Sequence, residues 1–310
     1  MMARQTQPWR ADLKPVREGQ TFEGDSLPVR FANLVKLPHT VFALPFALVG
    51  TVYASYSYPV TISRLALIVV AFTAARFAAM GFNRIADRGL DALNPRTRNR
   101  ELPARKLSVT QAWISVVLAA AIFIAAAGML NRVCLVLSPV ALAWIMGYSY
   151  AKRFTSLSHL WLGASLGIAP VGGYLAVAGS WSTPAWTLLA LSAAVLAWVA
   201  GFDIFYALQD EDFDREHNLK SAVVLLGKTG SIIFAKSLHG IAIALLVTLG
   251  IGAHFGWPFF VGVAVAAAIL VWEHRLVRPE DLSRLNAAFF TMNGIMSLVV
   301  LAAAVVDRFI

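Results

Sequence analysis

The chain has little charge and almost no cysteine. Only 14 % of its 310 residues are Asp, Glu, Lys or Arg, whereas 58 % are hydrophobic. Soluble globular domains carry about 25 % charged residues, and disordered chains are richer still in polar and charged side chains. The composition therefore excludes both an ordinary soluble domain and a disordered chain. The single cysteine, Cys134, excludes an internal disulfide.

The apolar residues form blocks long enough to cross a bilayer. A helix that rises about 1.5 Å per residue needs about 20 residues to span a hydrocarbon core of roughly 30 Å. Such blocks, broken by charge, Pro or Gly, predict an all-α polytopic membrane protein. The nine predicted spans lie near residues 31–56, 62–83, 109–128, 133–150, 159–179, 185–204, 230–253, 257–273 and 286–306.

The start of the chain differs from the rest. Residues 1–29 are polar, carry both signs of charge and lack the apolar segment of a signal peptide, so we expect a soluble tail there. Residues 30–310 are expected to form one nine-helix membrane domain. An odd number of spans places the two ends of this domain on opposite sides of the membrane.

The basic residues in the short loops indicate an orientation. Of the 26 Lys and Arg residues, 21 fall in the tail and in the second, fourth, sixth and eighth loops. Since Lys and Arg near span ends accumulate on the cytoplasmic side, the N-terminus is predicted to be cytoplasmic and the C-terminus external, in a bacterial inner membrane. The same distribution makes nucleic acid a poor explanation of the positive net charge.

The first of two acidic motifs lies at the end of the second span. Asn83, Asp87 and Asp91 are spaced four residues apart. Positions four apart lie on one face of a helix. The three side chains therefore form a single polar stripe that continues out of the span.

The second acidic motif lies at the end of the sixth span. Asp210 and Asp214 are four residues apart, and Asp203 lies seven residues before Asp210, on nearly the same helical face. Two such stripes could face one another, and the repulsion between their carboxylates then requires a cation. Carboxylate and amide oxygens without clustered His or Cys favour Mg²⁺.

Basic residues surround both motifs. Carboxylates that hold a metal, with Arg and Lys nearby, make a site for a diphosphate. A diphosphate beside apolar helices favours a lipid substrate such as a polyprenyl diphosphate, whose carbocation an apolar cavity would protect from water. These basic residues are Arg84, Arg88, Arg96, Arg98, Arg100, Arg105, Lys152, Arg153, Lys220 and Lys228.

Simpler interpretations stay open for several side chains. Arg96, Arg98 and Arg105 serve equally well as solvated loop charges that set topology. Arg76 lies within a span, on the face of Asn83, where it could bind an acceptor carboxylate or pair with a structural acid. The acids could also bind the coupling ion of a transporter, although transporter sites usually lie near the membrane midplane.

Three motifs resemble the signatures of the UbiA superfamily of intramembrane aromatic prenyltransferases. They are Asn83-Arg84-x-x-Asp87-x-x-x-Asp91, Tyr148-x-x-x-Lys152-Arg153-x-Thr155 and Asp203-x-x-Tyr206-Ala207-x-x-Asp210-x-x-x-Asp214. The similarity extends from about Phe31 onward. The segment at residues 37–45 (LPHTVFALP) is most similar to the 4-hydroxybenzoate polyprenyltransferase-like branch, which also includes enzymes of the futalosine route to menaquinone. Two positions depart from the pattern, because Arg105 stands where the family commonly has glycine and Ser149 follows Tyr148 where the family commonly has proline.

The resemblance implies a role for each matching residue. Asn83, Asp87 and Asp91 would hold one Mg²⁺, and Asp210 and Asp214 would hold a second. Asp203 would assist at the acceptor site, which makes Asp203, Asp87 and Asp210 the implied catalytic residues. The implied substrate-binding residues, with Arg76 added for an acceptor carboxylate, are Asn83, Arg84, Arg100, Tyr148, Lys152, Arg153, Tyr206, Lys220 and Arg76.

The resulting hypothesis is a Mg²⁺-dependent transfer of a polyprenyl group to an aromatic ring carbon. The implied fold is nine helices around a central cavity, and the implied acceptor is 4-hydroxybenzoate in ubiquinone biosynthesis. Naphthoate and futalosine-pathway acceptors of menaquinone biosynthesis are the alternatives. The expected partners are a polyprenyl diphosphate, a small aromatic acid and the lipid bilayer, and no protein partner is predicted.

Overall fold

The computed structural model describes residues 22–36, 40–277 and 291–310. Within these ranges the chain is helical and contains no strand. Two 3-10 turns, Tyr148–Arg153 and Leu208–Asp210, interrupt the α-helices. The helices are α1 (Leu27–Leu34), α2 (Thr40–Ser55), α3 (Ile62–Leu93), α4 (Val109–Leu130), α5 (Arg132–Gly147), α6 (Ser158–Ala178), α7 (Ala185–Ala207), α8 (Glu211–Glu216), α9 (Ala222–Gly252), α10 (Trp257–Leu276) and α11 (Asn293–Phe309).

The helices confirm an all-α membrane protein. Seven apolar helical segments of the described chain are long enough to span a bilayer, and Ala43–Ser55 forms a shorter apolar helix. The count of nine spans stays a prediction. The seven segments are Ile62–Leu93, Val109–Leu130, Arg132–Arg153, Ser158–Ala178, Ala185–Glu216, Ala222–Gly252 and Trp257–Leu276.

The boundaries of two predicted spans differ from the structure. The first predicted span, 31–56, is wrong as one element, because α1 ends at Leu34 and Lys36 has a left-handed backbone with φ of 48°. Residues 37–39 lie outside the described ranges, and α2 begins at Thr40. Residues 286–290 of the ninth span also lie outside, and α11 begins at Asn293.

The predicted polar tail falls mostly on residues that the structure does not describe. Residues 1–21 lie outside the described ranges, and α1 begins within the predicted tail, at Leu27. The division into a tail and a membrane domain stays a prediction.

Two helices extend beyond the apolar segments that the sequence predicts. Helix α3 has 32 residues, so at about 1.5 Å per residue it is roughly 48 Å long, against a bilayer core of roughly 30 Å. Its last turns carry Asn83, Asp87 and Asp91. Helix α7 continues through a 3-10 turn into α8, which carries Asp214. Both acidic motifs thus lie on helical extensions of spans.

Close packing places α6 between α2 and α7. A Cβ atom at Gly163 would collide with the carbonyl oxygen of Leu196 on α7, and one at Gly173 would collide with that of Ala47 on α2. Gly50 makes the same kind of approach from α2 to Pro170. Small residues let helix backbones approach closely in membranes, so these glycines fix the position of α6.

Helix α7 forms the centre of the bundle, and its side chains are buried along most of its length. Trp198 packs against Phe46 of α2 and donates a hydrogen bond from Nε1 to Asn293 of α11, at 2.8 Å. By contrast, α4 and α5 expose apolar side chains such as Val117 and Val140, as expected of lipid-facing helices. The cavity described next lies among α2, α3, α4, α5, α6 and α7.

Candidate active site

A deep cavity of about 510 Å³ lies between the helices. One end is lined by the last turns of α3, the 3-10 turn Tyr148–Arg153 and the α7–α8 junction, and we call it the polar end. The other end is lined by apolar side chains that reach as far as Ile68 on α3. The apolar lining includes Ala71, Phe72, Ala75, Phe123, Leu130, Leu137, Leu166, Val171 and Leu175.

The acids on α3 contact Asn83 and the neighbouring cations. The Asn83 side-chain amide donates to Asp87 Oδ2 at 2.9 Å, and Arg153 Nη2 lies 3.4 Å from Asp87 Oδ1. Arg100 Nη1 donates to Asp91 Oδ1 at 2.7 Å. Asp91 Oδ2 is buried and has no hydrogen-bond partner among the described residues, so it can accept a ligand.

The acids of the second motif are held by other cations. Arg96 donates to both oxygens of Asp210, from Nε at 3.0 Å and from Nη2 at 2.6 Å. Asn94 also donates to Asp210 Oδ1, at 3.1 Å. Asp214 accepts from Lys152 Nζ at 2.9 Å. Because Asn94 and Arg96 follow α3 directly, they join the two motifs at the polar end.

The structure brings most of the predicted site residues to this cavity. The lining includes, besides the five acid and amide residues above, Arg76, Arg84, Arg100, Tyr148, Lys152, Arg153, Asp203 and Tyr206. Tyr206 accepts a hydrogen bond from Arg96 Nη1 at 2.8 Å. Arg76 Nη1 donates to the carbonyl oxygen of Val35 at 3.1 Å, and Arg84 Nε donates to that of Leu34 at 3.1 Å. Both guanidinium groups therefore contact the end of α1.

Lys220 is the predicted site residue that the structure places elsewhere. It does not line the cavity, and its Nζ donates to the carbonyl oxygen of Phe154 at 3.2 Å. Its backbone N–H donates to the carbonyl oxygen of Lys152 at 2.6 Å. Lys220 therefore supports the 3-10 turn that carries Lys152 instead of facing the cavity.

Sequence reasoning missed or undervalued several cavity residues. The sequence did not distinguish Arg96 from Arg98 as a site residue. In the structure the Arg96 side chain is 13 % exposed and bonded to Asp210, whereas Arg98 is exposed. Asn94 and His159 received no assignment, and His159 Nδ1 lies 2.6 Å from Asp203 Oδ2. Nothing local distinguishes these side chains, since only the fold brings them to their acidic partners.

The donor set fits a magnesium ion. The described residues contain no group of three His, Cys, Asp or Glu side chains already placed as a metal centre, and the four acids instead contact cations. Their carboxylate and amide oxygens, with the open Asp91 Oδ2, are nevertheless the ligands that Mg²⁺ prefers.

These features define a class: an all-helical membrane protein whose deep apolar cavity ends in acids and cations. Residues 43–295 match the family described as the UbiA prenyltransferase family. Because this match covers most of the chain, the chain belongs to that family and is a membrane prenyltransferase.

Curated relatives and solved structures agree with this placement. The chain is 30 % identical over 253 residues to a 4-hydroxybenzoate octaprenyltransferase of Pseudomonas aeruginosa strain LESB58, covering 81 % of this chain and 84 % of that protein. It is 32 % identical over 241 residues to one of Chromohalobacter salexigens, covering 77 % and 78 %.

Two solved structures are similar in fold. A UbiA homologue from Aeropyrum pernix K1, in an apo structure, has a TM-score of 0.79 and 36 % identity, covering 87 % of this chain and 98 % of that one. A homologue from Archaeoglobus fulgidus, bound to GPP and Mg²⁺, has a TM-score of 0.70 at 20 % identity, covering 91 % of this chain and all of that one (100 %). At that identity the second similarity concerns the fold alone.

Proposed function

We propose that this protein transfers a polyprenyl group from a polyprenyl diphosphate to a ring carbon of 4-hydroxybenzoate, in ubiquinone or related quinone biosynthesis. The observation that carries the proposal is the convergence of two acidic motifs and four cations at one end of a deep apolar cavity. The names of the curated relatives support the choice of acceptor.

The acids are proposed to hold two magnesium ions. Asn83, Asp87 and Asp91 would bind one, and Asp210 and Asp214 the other. Bound Mg²⁺ supplies Lewis-acid stabilisation of the charge that develops on a departing diphosphate. The magnesium bound in the Archaeoglobus homologue supports the choice of metal.

The cations at the polar end are proposed to bind the diphosphate. Arg96, Arg100, Lys152 and Arg153 already bond to carboxylates there. Charge-assisted hydrogen bonds to phosphate oxygens are among the stronger hydrogen bonds in proteins. The same donors can therefore neutralise the charge of the departing diphosphate. Lys220 is proposed to act indirectly, through the turn that carries Lys152.

The apolar part of the cavity is proposed to bind the prenyl chain. From Asn83 to Ile68 the α3 wall extends over 15 residues, or roughly 22 Å at about 1.5 Å per residue. Its alanine and leucine lining excludes water from an allylic carbocation, which would otherwise be captured as an alcohol. The prenyl carbon then reacts with the electron-rich ring.

The acceptor is proposed to bind deeper than the diphosphate. Arg76 lies seven residues from Asn83, two turns further from the polar end of α3, and it lines the cavity. Its guanidinium can bind a carboxylate with two parallel hydrogen bonds. Tyr148 and Tyr206 also line the cavity and are proposed to contact the ring.

The basic loops favour a cytoplasmic opening of the site. The polar end lies beside the loop after α3 and the turn after α5, which carry several of the basic residues. With the positive-inside bias, we propose an inner-membrane protein with a cytoplasmic N-terminus and an external C-terminus.

A substrate panel tests this function. Purified protein in detergent or lipid is incubated with Mg²⁺, a radiolabelled polyprenyl diphosphate and, separately, 4-hydroxybenzoate, a hydroxynaphthoate and a futalosine-pathway acid. Labelled prenyl 4-hydroxybenzoate is the expected product. Exclusive labelling of another acid would assign the menaquinone alternative, and no labelled aromatic product from any acid would overturn the proposal.

A further inference from the structure

Asp203 differs from the four acids that the cations hold. Its Oδ2 lies 2.6 Å from Nδ1 of His159, which is the second residue of α6. The His159 side chain is 2 % exposed and that of Asp203 is 16 % exposed, and both line the cavity. Asp203 is thus paired with an imidazole, whereas each of the other acids is paired with Arg or Lys.

The position of Asp203 is also different. It lies seven residues before Asp210 on α7, or roughly 10 Å deeper at about 1.5 Å per residue. Arg76 occupies the corresponding position on α3, seven residues before Asn83. Arg76, Asp203 and His159 all line the cavity.

The hydrogen bond assigns the protons in the pair. An ionised carboxylate can only accept, so His159 Nδ1 must carry the hydrogen that bonds to Asp203. The other ring nitrogen, Nε2, is buried and has no partner among the described residues. With Asp203 ionised, His159 therefore donates from Nδ1 to the carboxylate.

The reaction requires a base beside the acceptor ring. When a prenyl carbon bonds to the ring, the attacked carbon still carries its hydrogen, and the ring has lost its aromaticity. The C–H bond must break, its electron pair must return to the ring, and a nearby group must accept the proton. Among the described cavity residues, Asp203 is the aspartate whose hydrogen-bond partner is an imidazole and not Arg or Lys.

We propose that Asp203 removes the ring proton of the acceptor and that His159 positions it for that step. The Nδ1–H bond holds Oδ2, and Asp203 lines the cavity, so Oδ1 is the oxygen proposed to take the proton. Protonated Asp203 returns its proton to water when the products leave, which restores the carboxylate. His159 is a positioning residue, and Asp203 is the catalytic one. The inference rests on the proposed aromatic acceptor.

The test compares diphosphate release with aromatic prenylation in single-turnover experiments. Asp203→Asn keeps the shape of the side chain but cannot accept the proton, so prenylation should slow by about 10²–10⁴-fold, the usual range for a general base. Diphosphate release should stay fast. Asp210→Asn serves as the contrast, because the loss of a proposed metal ligand should slow diphosphate release and prenylation together.

Deuterium on the two ring carbons beside the hydroxyl group provides a second readout. If proton removal limits Asp203→Asn, the deuterated acceptor should react more slowly in that variant, whereas wild type should show a much smaller isotope effect. Slowed release in Asp203→Asn, or slowed prenylation without an isotope effect, would overturn the assignment of Asp203 as the base.

Two substitutions separate positioning from other roles of His159. His159→Asn keeps an N–H near the position of Nδ1, so its prenylation rate should stay within about tenfold of wild type. His159→Leu removes the donor, so its prenylation rate should fall about 10–100-fold, as when other orienting partners are removed. The leucine variant should also show the isotope effect. His254→Asn, on an exposed histidine between α9 and α10, is the control. Equal losses in the Asn and Leu variants would contradict positioning. Failure of wild type to prenylate any acid would instead overturn the proposed function.

Discussion

Lys152 and Arg153 are neighbours in the chain, but their side chains reach different acidic motifs. Lys152 Nζ lies 2.9 Å from Asp214 on α8, and Arg153 Nη2 lies 3.4 Å from Asp87 on α3. A 3-10 turn has about three residues per turn, so consecutive side chains point in different directions. One short turn therefore connects both acidic motifs, and the proposed diphosphate site is assembled around it.

The proposed metal ligands give the first prediction. Asp87→Ala and Asp210→Ala should each reduce prenylation by about 10³-fold or more, since Lewis-acid stabilisation is worth several kcal/mol. The measurement is product formation in membranes with Mg²⁺, and EDTA should act in the same way. Asp212→Ala, on an exposed acid two residues after Asp210, is the matched control and should be nearly normal. Near-normal rates in either Asp87→Ala or Asp210→Ala would contradict the two-metal assignment.

Arg96 and Arg98 give the second prediction. Arg96→Gln removes two bonds to Asp210 and one to Tyr206, so the KM for the prenyl diphosphate should rise about 10–100-fold, the equivalent of one or two charge-assisted hydrogen bonds. Arg96→Lys should rescue little, because a single ammonium cannot replace the guanidinium fork. Arg98→Gln, on an exposed side chain, should leave KM unchanged. Equal behaviour of the two glutamine variants would show that Arg96 is only a loop charge.

Two adjacent glycines on α6 give the third prediction. Gly172 lines the cavity, and a Cβ there would meet no atom within 4 Å, whereas Gly173 packs against Ala47 of α2. Gly172→Leu should therefore fold and fill part of the prenyl pocket. Rates with a long polyprenyl diphosphate should fall while rates with geranyl diphosphate are retained.

The control for that experiment is a stability measurement. Gly173→Ala should lower the thermal unfolding temperature in detergent, because overpacking at a tight helix contact costs roughly 1–3 kcal/mol. Gly172→Leu should unfold close to wild type. A loss of rate that is the same for short and long donors would show that Gly172 does not border the prenyl chain.

The backbone of Arg105 gives the fourth prediction. Its φ of 56° is left-handed, at the position where the resemblance in sequence calls for glycine. A left-handed backbone costs a non-glycine residue roughly 1–2 kcal/mol of stability. Glycine avoids this cost, but its greater freedom in the unfolded chain lowers the free energy of unfolding by roughly 0.4–1 kcal/mol. Arg105→Gly should therefore stabilise the protein by about 0.5–1 kcal/mol in thermal unfolding. Arg98→Gly is the control and should not stabilise.

The elements that the sequence predicted correctly depend on local patterns. Apolar blocks follow from bilayer thickness, and the acid stripes follow from spacing along a single helix, as at Asp87 and Asp91. The break between α1 and α2 was missed, although Lys36 and Pro38 interrupt the apolar block there, because the residues on both sides together have the length of one span.

Local sequence patterns did not predict which distant residues pair with one another. The sequence could not separate Arg96 from Arg98, or bring His159 to Asp203, because the partners lie 114 and 44 residues away. It also treated Gly172 and Gly173 alike as packing residues, although they point to different surroundings. Contacts of this kind depend on how helices are arranged around one another, which a single sequence does not encode locally.

The four ion pairs at the polar end have a consequence for how ligands arrive. Each carboxylate already has a basic partner, so magnesium alone competes with cations for these acids, even with Asp91 Oδ2 open, and diphosphate alone competes with anions for the basic residues. A preformed magnesium–diphosphate complex offers a new counter-charge to both members of each pair at the same time. We expect calorimetry to show weak uptake of either component alone and strong, mutually dependent uptake of the two together.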